Sequence, residues 1–188
     1  MLLRAGLPEQ QSIPADWIEA FELLRKLAVM KNRAHTLLFI DELSWMDTPK
    51  SDFMMALENF WNGLAFEQVC LLHTDQIKKA LGISGIHTDV FSFSCKSNPE
   101  AGLYGSQIDM VIRRADQTIN IVEMKYSKGP YLISKALDQN MQRKIHDVIA
   151  STKTRNAVHL TMVTIHGLEA NAYSNNVQFQ ITAADLFS

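Results

Sequence analysis

Two carboxylates and an amine lie in the apolar stretch from Gln107 to Lys125, which reads QIDMVIRRADQTINIVEMK. Asp109 and Glu123 are each seven residues from Asp116, the centre of the polar segment RADQT. A hairpin that turns there sets the two carboxylates opposite each other, because facing residues of antiparallel strands lie about 4.5 to 5.5 Å apart at Cβ. Lys125 then shares a face with Glu123, because side chains alternate along a strand.

Two explanations of this cluster are open. An exposed sheet face needs no function, since a surface lysine paired with a carboxylate contributes only about 0 to 1 kcal/mol. A central strand covered on both sides is the other, because apolar residues occupy both faces. These residues are Ile108, Met110, Val111, Ile112, Ile119, Ile121, Val122 and Met124. Two neighbouring carboxylates in such a site repel each other unless a cation intervenes, and hard oxygen ligands suit Mg²⁺ or Mn²⁺.

Hydrophobic periodicity predicts the elements that position these residues. Strands are predicted at about 107–114 and 118–126, preceded by a strand in HTDVFSFSC and the loop KSNPEAGLYGS. A helix follows from about 133 to 151, then strands in NAVHLTMVTI and VQFQIT, and a terminal turn or helix in AADLF. From Gly63 onward the predicted order is therefore helix, three strands, helix, strand, strand, which indicates an α/β fold.

The first third of the chain has a different pattern. PADWIEAFELLRKLAVMKN predicts a helix that starts with Pro14, and TLLFIDE predicts a short strand that stops at two acids. From Pro49 to Gly82 the sequence is helical, either as one helix or as two joined at Gly63. We therefore expect the chain to divide near Gly63.

Composition limits the classes of protein that need to be considered. The chain has 188 residues, of which 47% are hydrophobic and 20% charged, enough for one modest domain with an additional segment. A formal net charge of −2 means that contact with nucleic acid must rest on a local basic patch. Cys70 and Cys95 form no disulfide framework and no metal-ligand spacing. Without a transmembrane-length run or a signal peptide, we expect a cytoplasmic protein with no membrane partner.

Around QID and EMK the sequence resembles the PD-(D/E)XK nuclease superfamily, and its predicted order of elements matches the αβββαβ core of that superfamily. The resemblance implies a mixed sheet flanked by helices, a restriction-endonuclease-like fold. It also implies that Asp109, Glu123 and the backbone carbonyl of Met124 hold Mg²⁺ or Mn²⁺, and that Lys125 orients the attacking water or neutralises charge on phosphate. Glu67 in AFEQVC would join from the first core helix. The proline of the motif is absent, and Ile108 stands before Asp109.

A second resemblance covers most of the chain. PADWIEAFELL, LLFIDELSWMDTPKSDFMMALENFWN, AFEQVCLLHTDQIKKALGISGI and AVHLTMVTIHGLEANAYSNN are similar to segments of prokaryotic AAA-type ATPases that end in a PD-(D/E)XK domain. The resemblance makes LLFIDE a Walker B strand, with Asp41 and Glu42 as its acids. However, no G-x-x-x-x-G-K-[ST] loop is present to hold the phosphates, so we expect neither ATP binding nor ATP hydrolysis.

The junction FWNGLAFE indicates an internally shortened form, because in that family FWN and AFE are far apart. We therefore interpret residues 1–62 as an ATPase-domain remnant and residues 63–188 as a nuclease-like domain. The leftover apolar residues of the remnant could pack on the core or form a homodimer; they are Phe53, Met54, Leu57, Phe60 and Trp61.

The resemblances predict a metal-dependent DNA nuclease, and the alternative is an inactive nucleic-acid-binding, dimerising or regulatory module. Gln107 could contribute a polar group on the approach to Asp109, and Tyr104 could stack on a base, although an exposed loop tyrosine is the plainer interpretation. Several basic residues could bind phosphates, although a solvated surface explains each one individually; they are Lys128, Lys135, Arg143, Lys144, Lys153 and Arg155.

Overall fold

A computed structural model describes residues 14–30 and 52–188, with only the backbone of 26–30. The predicted strand TLLFIDE, with Asp41 and Glu42, lies outside the described residues. The chain divides into two compact units within one helix, between Leu64 and Ala65. The predicted boundary lies two residues earlier, between Asn62 and Gly63.

The elements follow each other in an α/β order. They are α1 (Trp17–Met30), α2 (Phe53–Leu72), α3 (Thr74–Ala80), β1 (Thr88–Cys95), β2 (Ser106–Arg114), β3 (Thr118–Lys125), α4 (Lys135–Thr152), β4 (Ala157–Thr164), β5 (Phe179–Thr182) and α5 (Ala183–Leu186). Each predicted strand after Gly63 is found within two residues of its expected bounds, because alternating apolar residues between polar loops are a strong local signal.

In the first unit, α1 packs with the start of α2 through a small aromatic core. Phe21 and Phe53 are buried together with Ala56, and the ring centroids of Phe21 and Phe53 lie 5.8 Å apart. Trp17 contacts Phe53 edge-on at 4.8 Å. The unit also leaves large apolar side chains exposed: Ile18, Met54, Met55 and Trp61.

The helical region before the sheet is interrupted at a different point from the one that the sequence suggested. Helix α2 runs through Gly63 without a break, and a Cβ added to Gly63 would meet no atom within 4 Å. The helix ends at Leu72, and Thr74, the first residue of α3, donates a side-chain hydrogen bond to the Leu71 carbonyl at 2.9 Å. Threonine side chains that bond to local carbonyls compete with helix continuation, so the junction lies at His73.

The second unit contains a five-stranded mixed sheet in the order β1-β2-β3-β4-β5. Strands β1, β2 and β3 are antiparallel neighbours, whereas β4 is parallel to β3 and β5 is parallel to β4. The hairpin between β2 and β3 has the predicted register, with Met110 opposite Val122 and Arg113 opposite Ile119. Helix α4 connects β3 to the parallel strand β4, as such a crossover requires.

Both faces of the central strands of the sheet are covered, as the two-sided apolar pattern predicted. On one face, Phe66 and Cys70 of α2 pack with Val122 and Met124. On the other face, α4 packs with Ile121 through Met141 and other apolar residues. All eight apolar residues named from the two central strands are buried. A polar side chain in the middle of β2 or β3 is therefore in a largely dry environment.

Candidate active site

Glu123 lies near the end of β3, and both of its carboxylate oxygens are ion-paired with lysine. Oε1 is 2.9 Å from Nζ of Lys125, and Oε2 is 2.6 Å from Nζ of Lys144. Only 7% of Glu123 is exposed, whereas the lysine side chains are 22% and 14% exposed. A buried carboxylate is thus bridged by two ammonium groups that retain access to solvent.

The two lysines control the ionisation of Glu123. Burial by itself would raise the pKa of the carboxyl group, because desolvation disfavours its charged form. The positive charges of Lys125 and Lys144, together with their hydrogen bonds, outweigh burial and lower the pKa of Glu123 from 4.5 to about 2. Glu123 is therefore an anion at neutral pH, despite its position in the core.

Helix α4 brings Lys144 to the sheet because Lys144 belongs to the core-facing stripe of that helix. Lys144 is three residues after Met141 and four before Val148, both buried, and residues at these spacings share one helix face. Ser134 caps the helix by accepting a hydrogen bond from the backbone N–H of Leu137 at 3.2 Å. The Ser134 cap fixes where α4 begins, and the apolar stripe fixes which face of α4 meets the sheet. Together they place Lys144 next to Glu123 of β3.

Asp109 lies at an irregularity of β2. Phe91 pairs with Val111 and Phe93 with Ile108, so Ser92 alone opposes both Asp109 and Met110. This arrangement is a β-bulge, and bulges redirect side chains and end regular pairing. The β2–β3 ladder accordingly ends at Met110 and Val122.

The predicted opposition of Asp109 and Glu123 falls one position beyond this ladder. Asp109 is half-buried and makes no hydrogen bond or ion pair with the described residues. The structure therefore brings Glu123 and Lys125 together as predicted, and it places Asp109 at the adjoining position of the neighbouring strand.

Glu67 is positioned differently from the other predicted residues. It belongs to α2, whose neighbouring Phe66 and Cys70 pack on the face of β3 that carries Val122 and Met124. Glu123 points to the opposite face, toward α4. Burial raises the pKa of the Cys70 thiol to about 12, and the nearby charge of Glu67 adds to this effect. The site role of Glu67 implied by the resemblance stays a prediction.

The described residues around Glu123 offer at most two carboxylates to a metal ion. Within residues 14–30 and 52–188, no group of three or more His, Cys, Asp or Glu side chains could hold a metal ion. Asp109 and Glu123 offer two carboxylates, and Mg²⁺ is commonly held by one or two carboxylates plus water and substrate oxygens. The Met124 side chain is buried on the other face, so only its backbone carbonyl could contribute. Carboxylate and carbonyl oxygens are ligands of the kind that Mg²⁺ and Mn²⁺ take, and in this structure both oxygens of Glu123 are paired with lysines.

A second buried carboxylate was not found from the sequence. Asp147 of α4 is fully buried, and its Oδ1 accepts a hydrogen bond from the Tyr104 backbone N–H at 2.9 Å. Its Oδ2 accepts bonds from the Ser106 hydroxyl at 2.6 Å and the Cys95 thiol at 3.6 Å. Burial alone would raise the pKa of Asp147, but these hydrogen bonds, led by the one from Ser106, lower it below its usual value.

The sequence indicates Lys144 only as one of several residues that could bind phosphates, and it does not predict the pairing of Lys144 with Glu123. Its spacing from Met141 and Val148 was the available signal, because it places Lys144 on the apolar stripe. The other basic residues of that group are exposed, as expected for a solvated surface: Lys128, Lys135, Arg143, Lys153 and Arg155. Gln107 is also exposed, opposite Ser94 of β1.

Comparisons with known proteins add little to this geometry. No protein-family model matches the sequence, and no curated protein is significantly similar to it. The solved structure of the protein of unknown function AF1548 is similar in part, with 17% sequence identity and a TM-score of 0.41. That match covers 62% of this chain and 56% of the other. Within the described ranges, no helix combines the length and apolar character needed to cross a membrane.

Proposed function

We propose that this protein is a metal-dependent phosphodiesterase of the PD-(D/E)XK type that acts on DNA. The proposal rests on the pairing of Glu123 with Lys125 and Lys144 at the end of a central strand, beside Asp109 on the neighbouring strand. The order of elements in the second unit supports the proposal, because helix, three strands, helix and strand is the core order of that superfamily.

The charges around Glu123 suit a phosphate substrate. The carboxylates of Asp109 and Glu123 balance the charges of Lys125 and Lys144, so a divalent cation bound there would give the partly dry site a surplus of positive charge. Charge-assisted hydrogen bonds from ammonium groups to phosphate oxygens are among the stronger polar contacts in proteins. The carboxylates can therefore bind a metal ion while the lysines bind a phosphate at the same site.

In the proposed mechanism, Asp109, Glu123 and the backbone carbonyl of Met124 hold Mg²⁺ or Mn²⁺. The ion, when bound, lowers the pKa of water and stabilises charge on the phosphate. Lys125 turns from Glu123 to the phosphate and offsets the charge that develops on its oxygens. Lys144 keeps Glu123 ionised and oriented from α4. This mechanism does not use Glu67.

The net charge of the chain is slightly negative, so the whole molecule does not attract DNA. In this proposal, exposed basic residues therefore supply the contact with DNA. We further propose that residues 1–62 derive from an AAA-type ATPase domain that no longer binds ATP. Since its Walker B-like acids lie outside the described residues, this part of the proposal rests on the sequence resemblance and on the missing phosphate-binding loop.

The test is cleavage of plasmid and branched DNA by purified protein with Mg²⁺, with Mn²⁺ and with EDTA. We expect metal-dependent cleavage that Glu123→Gln and Asp109→Asn abolish. Matched controls are Glu100→Gln and Asp75→Asn, which change exposed carboxyl groups elsewhere and should cleave normally. Equal cleavage by the wild type and Glu123→Gln would attribute the activity to a contaminant and remove the proposal.

Metal binding gives a readout that does not depend on cleavage. Titration calorimetry with Mn²⁺ should show one site in the wild type, weakened at least tenfold by Asp109→Asn. Asp75→Asn should bind Mn²⁺ as the wild type does. Unchanged Mn²⁺ affinity in Asp109→Asn would contradict the ligand set, even if cleavage were lost.

One observation favours a second candidate function, a dimerising module. The first unit exposes four large apolar side chains, Ile18, Met54, Met55 and Trp61, and exposed apolar surface is a common feature of interfaces. If these residues join two copies, sedimentation should show a dimer that Trp61→Lys converts to monomer. A wild-type monomer that cleaves DNA would exclude this alternative.

A further inference from the structure

Three exposed side chains form a group beside the proposed active site, which we call the Tyr104 patch: Tyr104, Arg143 and His146. The Arg143 guanidinium carbon lies over the Tyr104 ring, 5.4 Å from its centroid. The His146 ring contacts the same ring edge-on, at 5.3 Å between centroids. Nevertheless, 57% of Tyr104 remains exposed. The patch therefore presents an aromatic surface flanked by a positive charge.

The backbone beneath the Tyr104 patch is held in place by Asp147. Oδ1 of Asp147 accepts the Tyr104 backbone N–H at 2.9 Å, and Oδ2 accepts the Ser106 hydroxyl at 2.6 Å. Between them, Gly105 has φ +89°, and a Cβ there would lie 2.8 Å from the Ser97 backbone nitrogen. Only glycine fits this close approach. A ring on such a fixed backbone loses little conformational entropy when a ligand stacks on it.

The Tyr104 patch belongs to the same elements as the candidate active site. Helix α4 carries Arg143, Lys144 and His146 within four residues; Lys144 is directed at Glu123, whereas Arg143 and His146 are exposed. Strand β2 starts at Ser106, three residues before Asp109, which corresponds to roughly 10 Å along a strand. A polymer bound at the site can therefore reach the patch.

We infer that the Tyr104 patch binds an unpaired base of a nucleic acid next to the scissile phosphate. Bases stack on aromatic side chains, and arginine contributes both to stacking and to phosphate contact. A paired base in a duplex has no free face for this contact, so the favoured ligand has single-stranded character. The choice of nucleic acid rests on the proposed function, whereas the binding itself requires no cleavage.

Exposure alone does not identify such a surface, and another exposed aromatic residue provides the contrast. Phe187 is also exposed, but its ring packs edge-on against the His73 ring and not under an arginine. Arg113 is exposed as well, but Asp89 binds its guanidinium at 2.7 Å. Tyr104 and Arg143 differ because the aromatic ring and the cation are together above a buried, hydrogen-bonded support.

The test measures binding of a short fluorescent oligothymidine and of a duplex of the same length by anisotropy, with EDTA present. The wild type should prefer the single strand. Tyr104→Leu should weaken single-strand affinity about fivefold or more, in line with the loss of one stacked base. Tyr104→Phe should retain the affinity, and Phe187→Leu serves as the matched control.

An oligonucleotide with abasic sites separates stacking from charge attraction. The wild type should lose affinity for it, and Tyr104→Leu should bind it as the wild type does. Equal single-strand binding by the wild type and Tyr104→Leu, or a preference for duplex, would overturn the inference. Single-strand binding in a protein that never cleaves would remove the proposed function and leave the Tyr104 patch standing.

Discussion

The second unit contains two buried carboxylates that are stabilised in opposite ways. Glu123 is held by two ammonium groups, whereas Asp147 is held mainly by a hydroxyl, a thiol and a backbone N–H, with the His146 imidazole 3.6 Å from Oδ1. A buried ion pair contributes little net stability compared with apolar side chains of similar volume. A satisfied network of neutral donors, in contrast, joins separate segments and rigidifies them. Asp147 therefore supports the architecture, and Glu123 is the carboxylate to which we assign the proposed chemistry.

The largest expected difference between the two carboxylates appears when each one and its partners are replaced with apolar side chains. Glu123→Leu should lower the free energy of unfolding by about 3 to 5 kcal/mol, because two partly buried ammonium groups lose their counterion. Adding Lys125→Met and Lys144→Met should recover most of that loss. Urea denaturation of the single and triple variants measures both effects.

Replacing Asp147 and its donor Ser106 with apolar side chains should not restore the lost stability. Asp147→Leu combined with Ser106→Ala still leaves the Tyr104 backbone N–H without its acceptor. If this double variant regains stability while the Glu123 triple variant does not, the assignment of the two carboxylates is reversed.

Catalysis should depend on the lysine of one cluster and not on the thiol of the other. Lys125→Met should reduce DNA cleavage by about 10²- to 10³-fold, the usual effect of removing one group that stabilises developing charge. Cys95→Ala changes a peripheral donor to Asp147 and should cleave at the wild-type rate. The measurement is the initial rate of plasmid nicking with Mg²⁺. Comparable rates for Lys125→Met and Cys95→Ala would contradict the prediction that cleavage depends on Lys125.

Acid should remove the ion pairs of Glu123 with Lys125 and Lys144, and their contribution to stability, in a defined pH range. The folded-state pKa of Glu123 is about 2, against 4.5 for the ordinary carboxyl group. Because the folded pKa is the lower one, the ion pairs stabilise the fold above pH 4.5, and this contribution disappears as the pH falls toward 2. The total is about 3 kcal/mol at 1.36 kcal/mol per pKa unit.

Unfolding midpoints in urea between pH 6 and pH 3 check this expectation, with Glu123→Gln as the comparison. The variant should lose less stability than the wild type over that range. Parallel curves for the two proteins would show that Glu123 is not the acid-sensitive group.

The smallest effect concerns the thiol of the Asp147 cluster. The Cys95 thiol is a weak donor at 3.6 Å from Oδ2, beside the much shorter bond from Ser106. Cys95→Ala should therefore cost about 1 kcal/mol or less. A loss above about 2 kcal/mol by urea denaturation would mean that the thiol, and not the hydroxyl, holds the carboxylate.

Local signals explain why much of the second unit was predictable. The hairpin register followed from the polar turn around Asp116, because the position and length of the turn fix which residues of the two strands pair. The bulge at Asp109 was not predictable, since it appears only when β1 pairs with β2. The helix junction at His73 was also missed, because Gly63 is the stronger signal by propensity alone.

For the candidate site, the sequence alone determined which groups are available. It placed Glu123 and Lys125 on one face of β3 and surrounded them with apolar residues. Only the tertiary structure decided their partners, because Lys144, Asp147 and Tyr104 are distant in sequence from the groups they contact. Packing α4 on the sheet brings Lys144 to Glu123 and Asp147 to the start of β2. Such contacts depend on three-dimensional packing, which no local pattern encodes.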